Sequence, residues 1–214
     1  MEGNYRLQIK NSANYKDEDF LLAIKENRLD SFLAVLDTEY YLEGHNLINH
    51  WFSAVIFHNV FEHGIPDSPG SSELNCVPFN NIGLMTTDSE PTYTETYTWY
   101  DGYEAYYDNI GSTGAKGFVA HRVENQQIIK DPDGKESLRM RTRWIFLPSQ
   151  ANSNDIRSVG IFGSRYSDQS TNNQNRYQIG RIRFKDPISG NPIIISKNVN
   201  QAFVFEYTVN FVSL

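Results

Sequence analysis

The 214-residue chain has only one cysteine, Cys76, and no long apolar run. A single thiol cannot form a disulfide within the chain, and this composition is typical of proteins that assemble in a reducing compartment. Because no stretch of about 18 apolar residues occurs, the sequence predicts no membrane-spanning helix. Its first residues lack the pattern of a secretory signal, and no Asn-x-Ser/Thr acceptor site for N-glycosylation is present.

Charged residues are also few. They make up 21% of the chain, while aromatic residues make up 14%, with 13 Tyr, 13 Phe and 3 Trp. This balance favours a folded, β-rich protein over a disordered one. The net charge of −7 is divided unevenly, since residues 1–115 carry 5 basic and 18 acidic side chains and residues 116–214 carry 14 basic and 8 acidic ones. A split of −13 against +6 indicates an interaction that one half cannot make alone.

The final segment, residues 201–214, has the clearest secondary-structure pattern in the chain. Large apolar side chains alternate with others, and no Gly or Pro interrupts them. The predicted inward face consists of Phe203, Phe205, Tyr207, Val209 and Phe211. This alternation predicts a β-strand with one buried face, and burial of these side chains contributes on the order of 10 kcal/mol before entropy is counted. We therefore predict that this strand is central to the fold.

Further strand-like segments recur upstream at short intervals. They are predicted at residues 77–87, 118–130, 137–147, 156–163, 177–185 and 193–196, with turns at 131–134 (Asp-Pro-Asp-Gly) and 190–192 (Gly-Asn-Pro). Residues 5–10 alternate weakly and predict an opening edge strand. Short strands joined by Gly, Pro and Asn turns are typical of an antiparallel β-sandwich or jelly roll.

One segment, residues 46–62, has the period of an amphipathic helix. Gly64 and Pro66 follow it, as expected after a helix C-terminus. Residues 20–41 are ambiguous, because residues 20–29 fit a short helix and residues 32–42 fit a strand better. We predict a mainly β fold with one internal helix, formed by a single domain over residues 1–214. Its N-terminal portion, 1–66, contains the helix, and its β-sandwich portion spans 67–214.

Two predicted strands carry rows of cations opposite their apolar faces. The rows are Arg139, Arg141 and Arg143 on one strand and Arg181, Arg183 and Lys185 on the other. A solvated strand face is the simplest interpretation. The functional alternatives are a docking face for an acidic protein partner and a surface facing nucleic acid. The acidic first half of the chain favours a protein partner.

A dense cluster of aromatic side chains lies between residues 93 and 107. It includes Tyr97, Trp99, Tyr100 and Tyr103, with Glu95 among them. Exposed rings of this kind pack against a partner protein or stack on sugar rings, whereas buried ones fill a core. We interpret the cluster as a contact between subunits, with carbohydrate or receptor binding as the alternative.

No pattern of catalytic or metal-binding residues stands out. The histidines, His45, His50, His58, His63 and His121, lack the i, i+4 spacing or tight clustering of a zinc site. The glycine-rich segment 111–117 lacks the Gly-Lys-Ser/Thr ending of a phosphate loop. Asp101 and Glu104 could serve as glycosidase carboxylates, which leaves an enzyme acting on cell-wall glycans as a third hypothesis. The sequence predicts no catalytic residue, no metal site and no cofactor.

The second half of the chain carries a recognisable series of motifs. They are Arg143-Trp-Ile-Phe-Leu-Pro148, Ala151-Asn152, Val159-Gly160-Ile161-Phe162-Gly163, Gly180-Arg-Ile-Arg-Phe184, Pro192, Lys197 and the closing strand 203–211. In this order they resemble structural proteins of tailed bacteriophage virions, best over residues 138–214 and more loosely from residue 45. The chain departs from that pattern at Ser196-Lys197, where Thr-Lys is usual, and in an insertion at 164–176.

The resemblance implies a β-sandwich protein that assembles as a ring or collar at the neck or tail of the virion, or that anchors fibres. It implies assembly in the host cytoplasm with copies of itself and with other virion proteins, namely portal, neck, tail or fibre proteins. We expect no enzymatic activity and no membrane contact, nucleic acid is disfavoured as a partner, and a glycan is a possible one.

The charge split predicts how such copies pack. Head-to-tail contacts bring unlike halves together and close a ring when the rotation allows it, whereas a two-fold dimer need not do so. We predict that Arg139, Arg141, Arg143, Arg181 and Arg183 face acidic residues of a neighbouring copy, with Asp88, Glu90, Glu95, Asp101 and Glu104 as candidates. The alternative is that the two halves neutralise each other within one monomer.

Overall fold

The structure, a computed structural model, describes residues 2–47, 76–86, 89–91, 119–121, 127–130, 136–165 and 175–212. This part of the chain is mainly β, with antiparallel strands and two short helices. The strands are β1 (Glu2–Asn11), β2 (Thr38–Leu47), β3 (Cys76–Met85), β4 (Val119–His121), β5 (Gln127–Lys130), β6 (Glu136–Phe146), β7 (Ser153–Ile156), β8 (Ser158–Arg165), β9 (Asn175–Arg183), β10 (Ile195–Lys197) and β11 (Gln201–Val212). The helices are α1 (Asp17–Lys25) and α2 (Leu29–Ala34).

The largest sheet, sheet A, is six-stranded and has the order β2-β1-β11-β6-β4, with β5 also paired to β6. The last strand, β11, lies between β1 and β6, which confirms that it is central. The first strand is not an edge strand as predicted, because β2 pairs along its other side. Strands from residues 1–66 therefore share one sheet with strands from the second half of the chain.

Two smaller antiparallel sheets accompany sheet A. Sheet B has the order β3-β8-β9, and sheet C pairs β7 with β10. The strands predicted at 77–87, 137–147, 156–163 and 177–185 are confirmed as β3, β6, β8 and β9, with ends shifted by one or two residues. The turn predicted at 190–192 lies slightly earlier, at residues 187–189, and Gly190 follows it with a φ of 71°, a left-handed conformation that glycine adopts without strain.

The main apolar core lies on one face of sheet A. Four of the predicted inward residues of β11 are buried in it, namely Phe203, Phe205, Tyr207 and Val209, while the side chain of Phe211 lies outside the described part of the structure. Each strand of sheet B adds side chains to the same cluster, for example Ile82, Val159 and Ile182. Side chains of sheets A and B thus share one core.

Charged residues at both ends of α1 stabilise this helix. Asp17, Glu18 and Asp19 lie in its first turn and Lys25 in its last, where acidic and basic charges respectively stabilise the helix dipole. The Asp19 carboxylate also accepts a hydrogen bond of 2.8 Å from the backbone N–H of Lys16, which satisfies a donor at the helix start.

The two helices cover part of the second face of sheet A. Phe20 of α1 and Phe32 of α2 meet edge to face, with ring centroids 4.9 Å apart. Both belong to a second apolar cluster that includes Ile145 of β6 and Val204 of β11. Because β11 is covered on both faces at this end, Val204 is as deeply buried as the aromatic residues that alternate with it.

The structure corrects the predicted helical content. The helix predicted at 46–62 is wrong at its start, because Asn46 and Leu47 pair with β1 and these ladder hydrogen bonds outweigh the local periodicity; residues 48–62 lie outside the described part. The helix option for residues 20–29 is confirmed over residues 20–25, which belong to α1. Residues 32–42 form no continuous strand but contain the end of α2 and the start of β2. No helix in the described residues has the length and apolarity to cross a bilayer.

Candidate functional site

The second face of sheet A becomes polar beyond the helices, and we call this region the polar face. Strand alternation directs Leu7 and Phe205 into the main core and places Arg6 and Glu206 on the opposite side. One residue on each of the strands β2, β1, β11 and β6 lies directly opposite the next, so that the four form a row across the sheet, which we call a level. They are Glu43, Arg6, Glu206 and Arg143. The strand register therefore alternates acidic and basic residues across the sheet.

A second level lies two residues further along the strands. It consists of His45, Asn4, Thr208 and Arg141, and Arg139 follows on β6. In the other direction, Val204 and Ile145 lie in the apolar cluster formed with α1 and α2. The polar face thus begins where the helical layer ends.

A buried ion-pair network connects β6, β11 and α2. Glu206 forms ion pairs with both neighbouring arginines, with Arg143 Nη2 3.4 Å from Oε1 and Arg141 Nε 3.3 Å from Oε2. The side chains of Arg143 and Glu206 are only 7% and 10% exposed. Asp30 of α2 also binds the Arg143 guanidinium, which therefore lies between two carboxylates. A charged side chain buried this deeply needs an oppositely charged partner, because burial removes the water that would otherwise stabilise its charge.

The β2 side of the polar face holds Arg6 near the surface. The Arg6 guanidinium carbon lies 6.0 Å from the ring centroid of Tyr41, within the range of a cation–π contact. The Tyr41 hydroxyl donates a hydrogen bond to the Glu43 carboxylate, and this bond is the main cause that raises the pKa of Tyr41. Arg6 itself is exposed.

A cavity of about 690 Å³ opens on the polar face. Its lining consists of Asn4, Tyr5, Arg6, Glu43, Gly44, His45, Arg139, Arg141, Pro187, Glu206 and Thr208. Most of these residues belong to the two polar levels of β2, β1, β11 and β6. Its volume lies within the roughly 300–1,000 Å³ of ligand sites, but its lining is more polar than that of most such sites.

The second predicted row of cations, Arg181, Arg183 and Lys185, forms hydrogen bonds and ion pairs within the same chain. Arg181 is buried, and its guanidinium donates to the carbonyl oxygen and the hydroxyl of Ser89 at 2.8 and 3.0 Å. Arg183 and Lys185 both bind the Glu90 carboxylate, and the bond from Lys185, of 2.7 Å, is the main cause that lowers the pKa of Glu90. Glu90, which belongs to the acidic first half of the chain, thus neutralises part of the charge split within one monomer.

A group of hydrogen bonds around Lys197 fixes the segment that connects β6 to β7. The Lys197 ammonium donates to Gln150 O, Asn152 Oδ1 and Pro148 O, at 2.7, 2.9 and 3.2 Å. Burial lowers the pKa of Lys197 to about 7. Ala151 in this connection has a φ of 49°, an uncommon conformation for a residue with a Cβ, so the surrounding bonds must hold it there.

The structure brings only some of the predicted site residues together. Arg139, Arg141 and Arg143 follow one another on the polar face, and Arg181 and Arg183 lie on β9. The interpretation as solvated strand faces is wrong for Arg143 and Arg181, which are buried. An interface role stays a prediction for all of these arginines, and Glu95, Tyr97, Trp99, Tyr100 and Tyr103 lie outside the described residues.

Sequence reasoning missed the acidic and polar partners of these cations. Glu206 is the only charged residue in the aromatic strand β11, and that contrast is a signal that could have identified it. Asp30 and Ser89 lie 113 and 92 residues from the arginines that they bind, and no local pattern reveals partners at such separations.

The histidines form no visible metal site in the part of the chain that can be described. No group of three or more His, Cys, Asp or Glu side chains there is arranged to hold a metal ion. His45 is exposed on β2 and lines the cavity, while His50, His58 and His63 lie outside the described residues.

Comparisons of the chain with protein-family models, with curated proteins and with solved structures found no match. They assign no family, and the resemblance to tailed-phage virion proteins stays a prediction. The candidate site is therefore interpreted from its own geometry, which is a charged sheet face with an open cavity.

Proposed function

We propose that the protein is a structural component of a tailed bacteriophage virion, an oligomeric part of its neck, collar or tail. The observation that carries the proposal is the position of the motif residues. Pro148, Asn152 and Lys197 meet in one hydrogen-bonded unit, and the closing strand lies between β1 and β6 in the main sheet. Motif residues that fix strands and the segments between them are expected in a protein with a structural function.

We propose in addition that sheets A and B stack as an antiparallel β-sandwich of the jelly-roll type. Support comes from the shared core, in which Phe205 of sheet A and Val159 of sheet B belong to one cluster. In a stacked sandwich the two sheets lie about 10 Å apart with their inner side chains interdigitated. A crystal structure with the sheets side by side instead would contradict this arrangement.

The proposed assembly is a ring of copies packed head to tail. Arg139 and Arg141 line the cavity of the polar face, where Arg139 is exposed and the Arg141 side chain, paired with Glu206, is 31% exposed. On β9, Arg181 is buried and the Arg183 side chain is only 13% exposed. Because exposed arginines can reach a neighbouring copy, the polar face is the better candidate for the intersubunit contact than β9. Exposed ion pairs are worth about 0–1 kcal/mol each, so they would set register and assembly rate more than ring stability.

Light scattering of the purified protein during gel filtration, followed by negative-stain electron microscopy, tests the proposed function. We expect an oligomer whose class averages show a closed ring. A monomer at every concentration, or a two-fold dimer joined through identical patches, would contradict it. Crosslinking of assemblies made from mixed isotope-labelled copies adds a second criterion, because basic-to-acidic crosslinks should then join different copies.

The second candidate function is a carbohydrate- or receptor-binding module of a tail fibre. It is favoured by the aromatic cluster in the sequence, with Tyr97, Trp99, Tyr100 and Tyr103 as the stacking residues. Binding of the protein to a glycan array, lost in Trp99→Ala, would support this alternative. Turnover of a glycan by the pure protein would refute both candidates.

A further inference from the structure

The loop that follows β9 is an exposed element with little charge, and we call its residues 186–194 the arm. Residues 187–192 are all exposed, and Ile188 in the turn at the tip is 95% exposed. From residue 187 to residue 196 the sequence contains no charged side chain, although charged residues make up 21% of the chain. The arm is therefore an apolar element on the surface of a charged protein.

Hydrogen bonds within the arm fix its conformation. The Asp186 carboxylate accepts the backbone N–H groups of Ile188 and Ser189 at 3.0 and 2.6 Å. The Asp186 backbone donates to the carbonyl oxygen of Asn191 at 2.9 Å and accepts from the N–H of Gly190 at 2.8 Å. Because the arm is already ordered, little conformational entropy is lost when its tip binds a partner.

Several apolar side chains of the arm lie on its outside. Ile193 and Ile195 pack in the main core, whereas Ile194 between them is 53% exposed. Single exposed apolar residues are common on protein surfaces, but a group of them on one exposed loop is typical of an interaction site. The group consists of Pro187, Ile188, Pro192 and Ile194.

We propose that the arm holds copies of this chain together, with Ile188 and Ile194 buried against apolar surface of the neighbouring copy. The inference rests on the proposed function, in which the copies assemble into a ring. Exposed ion pairs on the polar face would add little to the stability of such a ring, so an apolar contact has to supply it.

The position of the arm suits this contact. Pro187 lines the cavity of the polar face, so the arm borders the surface proposed for the intersubunit contact. The chain also carries apolar surface outside the arm, because Leu21 and Leu22 of α1 are 44% and 45% exposed. An arm that packs against a different surface of the next copy makes a head-to-tail contact, and such contacts close a ring when the rotation allows it.

The charges around the arm argue against a membrane as its partner. Proteins that insert a short apolar segment into anionic lipid carry Lys or Arg side chains beside it. The cations nearest in sequence, Lys185 and Lys197, bind Glu90 and the connection between β6 and β7 respectively. Both are thus engaged within the chain, and the net charge of −7 opposes binding to an anionic surface.

Analytical ultracentrifugation of the full chain over a series of concentrations tests the inference. The test variant is Ile188→Asn, and the matched control is Ile188→Leu. Asn and Leu side chains have nearly the same shape, so the two variants differ in polarity at one position of the arm. Because Ile188 is 95% exposed, neither change should alter folding, and thermal melting checks this.

We expect Ile188→Asn to raise the concentration at which half of the protein is assembled by at least about tenfold, because a polar amide replaces an apolar side chain in the contact. Ile188→Leu should raise it by less than about threefold. Equal effects of the two variants, or no effect of either, would overturn the proposal. Binding of the wild type to phosphatidylserine vesicles that is lost in Ile188→Asn would overturn it too.

Photocrosslinking adds a measurement that needs no dissociation of the assembly. A benzophenone amino acid replaces Ile188, and assemblies are made from mixed isotope-labelled copies. We expect crosslinks from this position to join different copies. Crosslinks confined to one copy would contradict the contact.

Failure of this inference is distinguishable from failure of the proposed function. Rings whose assembly is unchanged in Ile188→Asn would refute the arm contact alone. Oligomers other than rings that dissociate in this variant would refute the ring and leave the arm contact intact. A wild type that is monomeric at every concentration would refute both.

Discussion

The Arg143 guanidinium lies 3.4 Å from the Glu206 carboxylate, at directly opposite positions of β6 and β11. Both side chains are largely buried, and Asp30 of α2 completes the contact from the helical layer. The pair therefore links the central strand, its neighbour and the helices at the boundary between the apolar and the polar part of one sheet face. Its removal should affect the whole of this region.

Glu206→Gln should lower the free energy of unfolding by about 1–3 kcal/mol, because it leaves two arginines short of a charged partner while Asp30 still holds one of them. Urea unfolding measures the change. Glu43→Gln, at an exposed position on the same level of the face, is the matched control and should cost less than about 0.5 kcal/mol. Equal losses in the two variants would show that burial of the pair has no energetic consequence.

Phe205→Ala should cost about 3–5 kcal/mol, because it opens a cavity in the main core. The Phe205 ring is fully buried, and its centroid lies 6.2 Å from that of Tyr5 and 6.1 Å from that of Trp144. Thr208→Ala, on the same strand but on the polar face, should cost much less. A truncation after Asn200 that stayed soluble with an unchanged thermal midpoint would contradict a central role for β11.

The sequence identified the elements whose signal is local. Phe203, Phe205 and Tyr207 alternate without interruption, so one strand with one buried face is the simplest solution. The apolar run of residues 32–36 is too short to separate a helix from a strand, and its conformation depends on the cluster with Ile145 and Val204, far along the chain.

The candidate site could be predicted only in part for the same reason. Arg139, Arg141 and Arg143 were visible as a row because alternation is a local property. The level that joins Arg6 to Glu206 depends on pairing between the first and the last strand of the described chain, and that register cannot be read from spacing. The buried state of Arg181 depends likewise on Ser89, a distant residue without a pattern of its own.

Gly44→Ala should destabilise the protein by about 1–3 kcal/mol through overpacking. A Cβ at this position would lie 2.8 Å from the Tyr5 hydroxyl oxygen and 3.0 Å from two carbons of the ring. Tyr5→Phe should therefore relieve part of the loss in the double variant. Gly190→Ala is the contrasting case, since no atom lies within 4 Å of its Cβ and only the left-handed backbone is strained. Tyr5→Phe should not rescue it, and a rescue of both variants alike would contradict the steric explanation.

Lys197→Met should cost about 1–3 kcal/mol, because it leaves the oxygens of Pro148, Gln150 and Asn152 without their donor. Hydrogen exchange should rise locally in the connection between β6 and β7, including Ala151. Lys25→Met, at an exposed position of α1, is the control for the loss of one positive charge. Unchanged exchange in the connection would show that Lys197 does not hold it.

The pH dependence of the Lys197 contribution has a defined sign. Burial lowers the pKa of this lysine from its ordinary value of 10.5 to about 7 in the folded protein. Between these values the unfolded chain binds the proton and the folded chain does not, so the free energy of unfolding rises with pH in this window. Urea unfolding from pH 6 to pH 10 should show a rise from about pH 7 upward in the wild type relative to Lys197→Met. A constant difference between the two proteins across that range would mean that Lys197 keeps its proton when buried, held by its three acceptor oxygens.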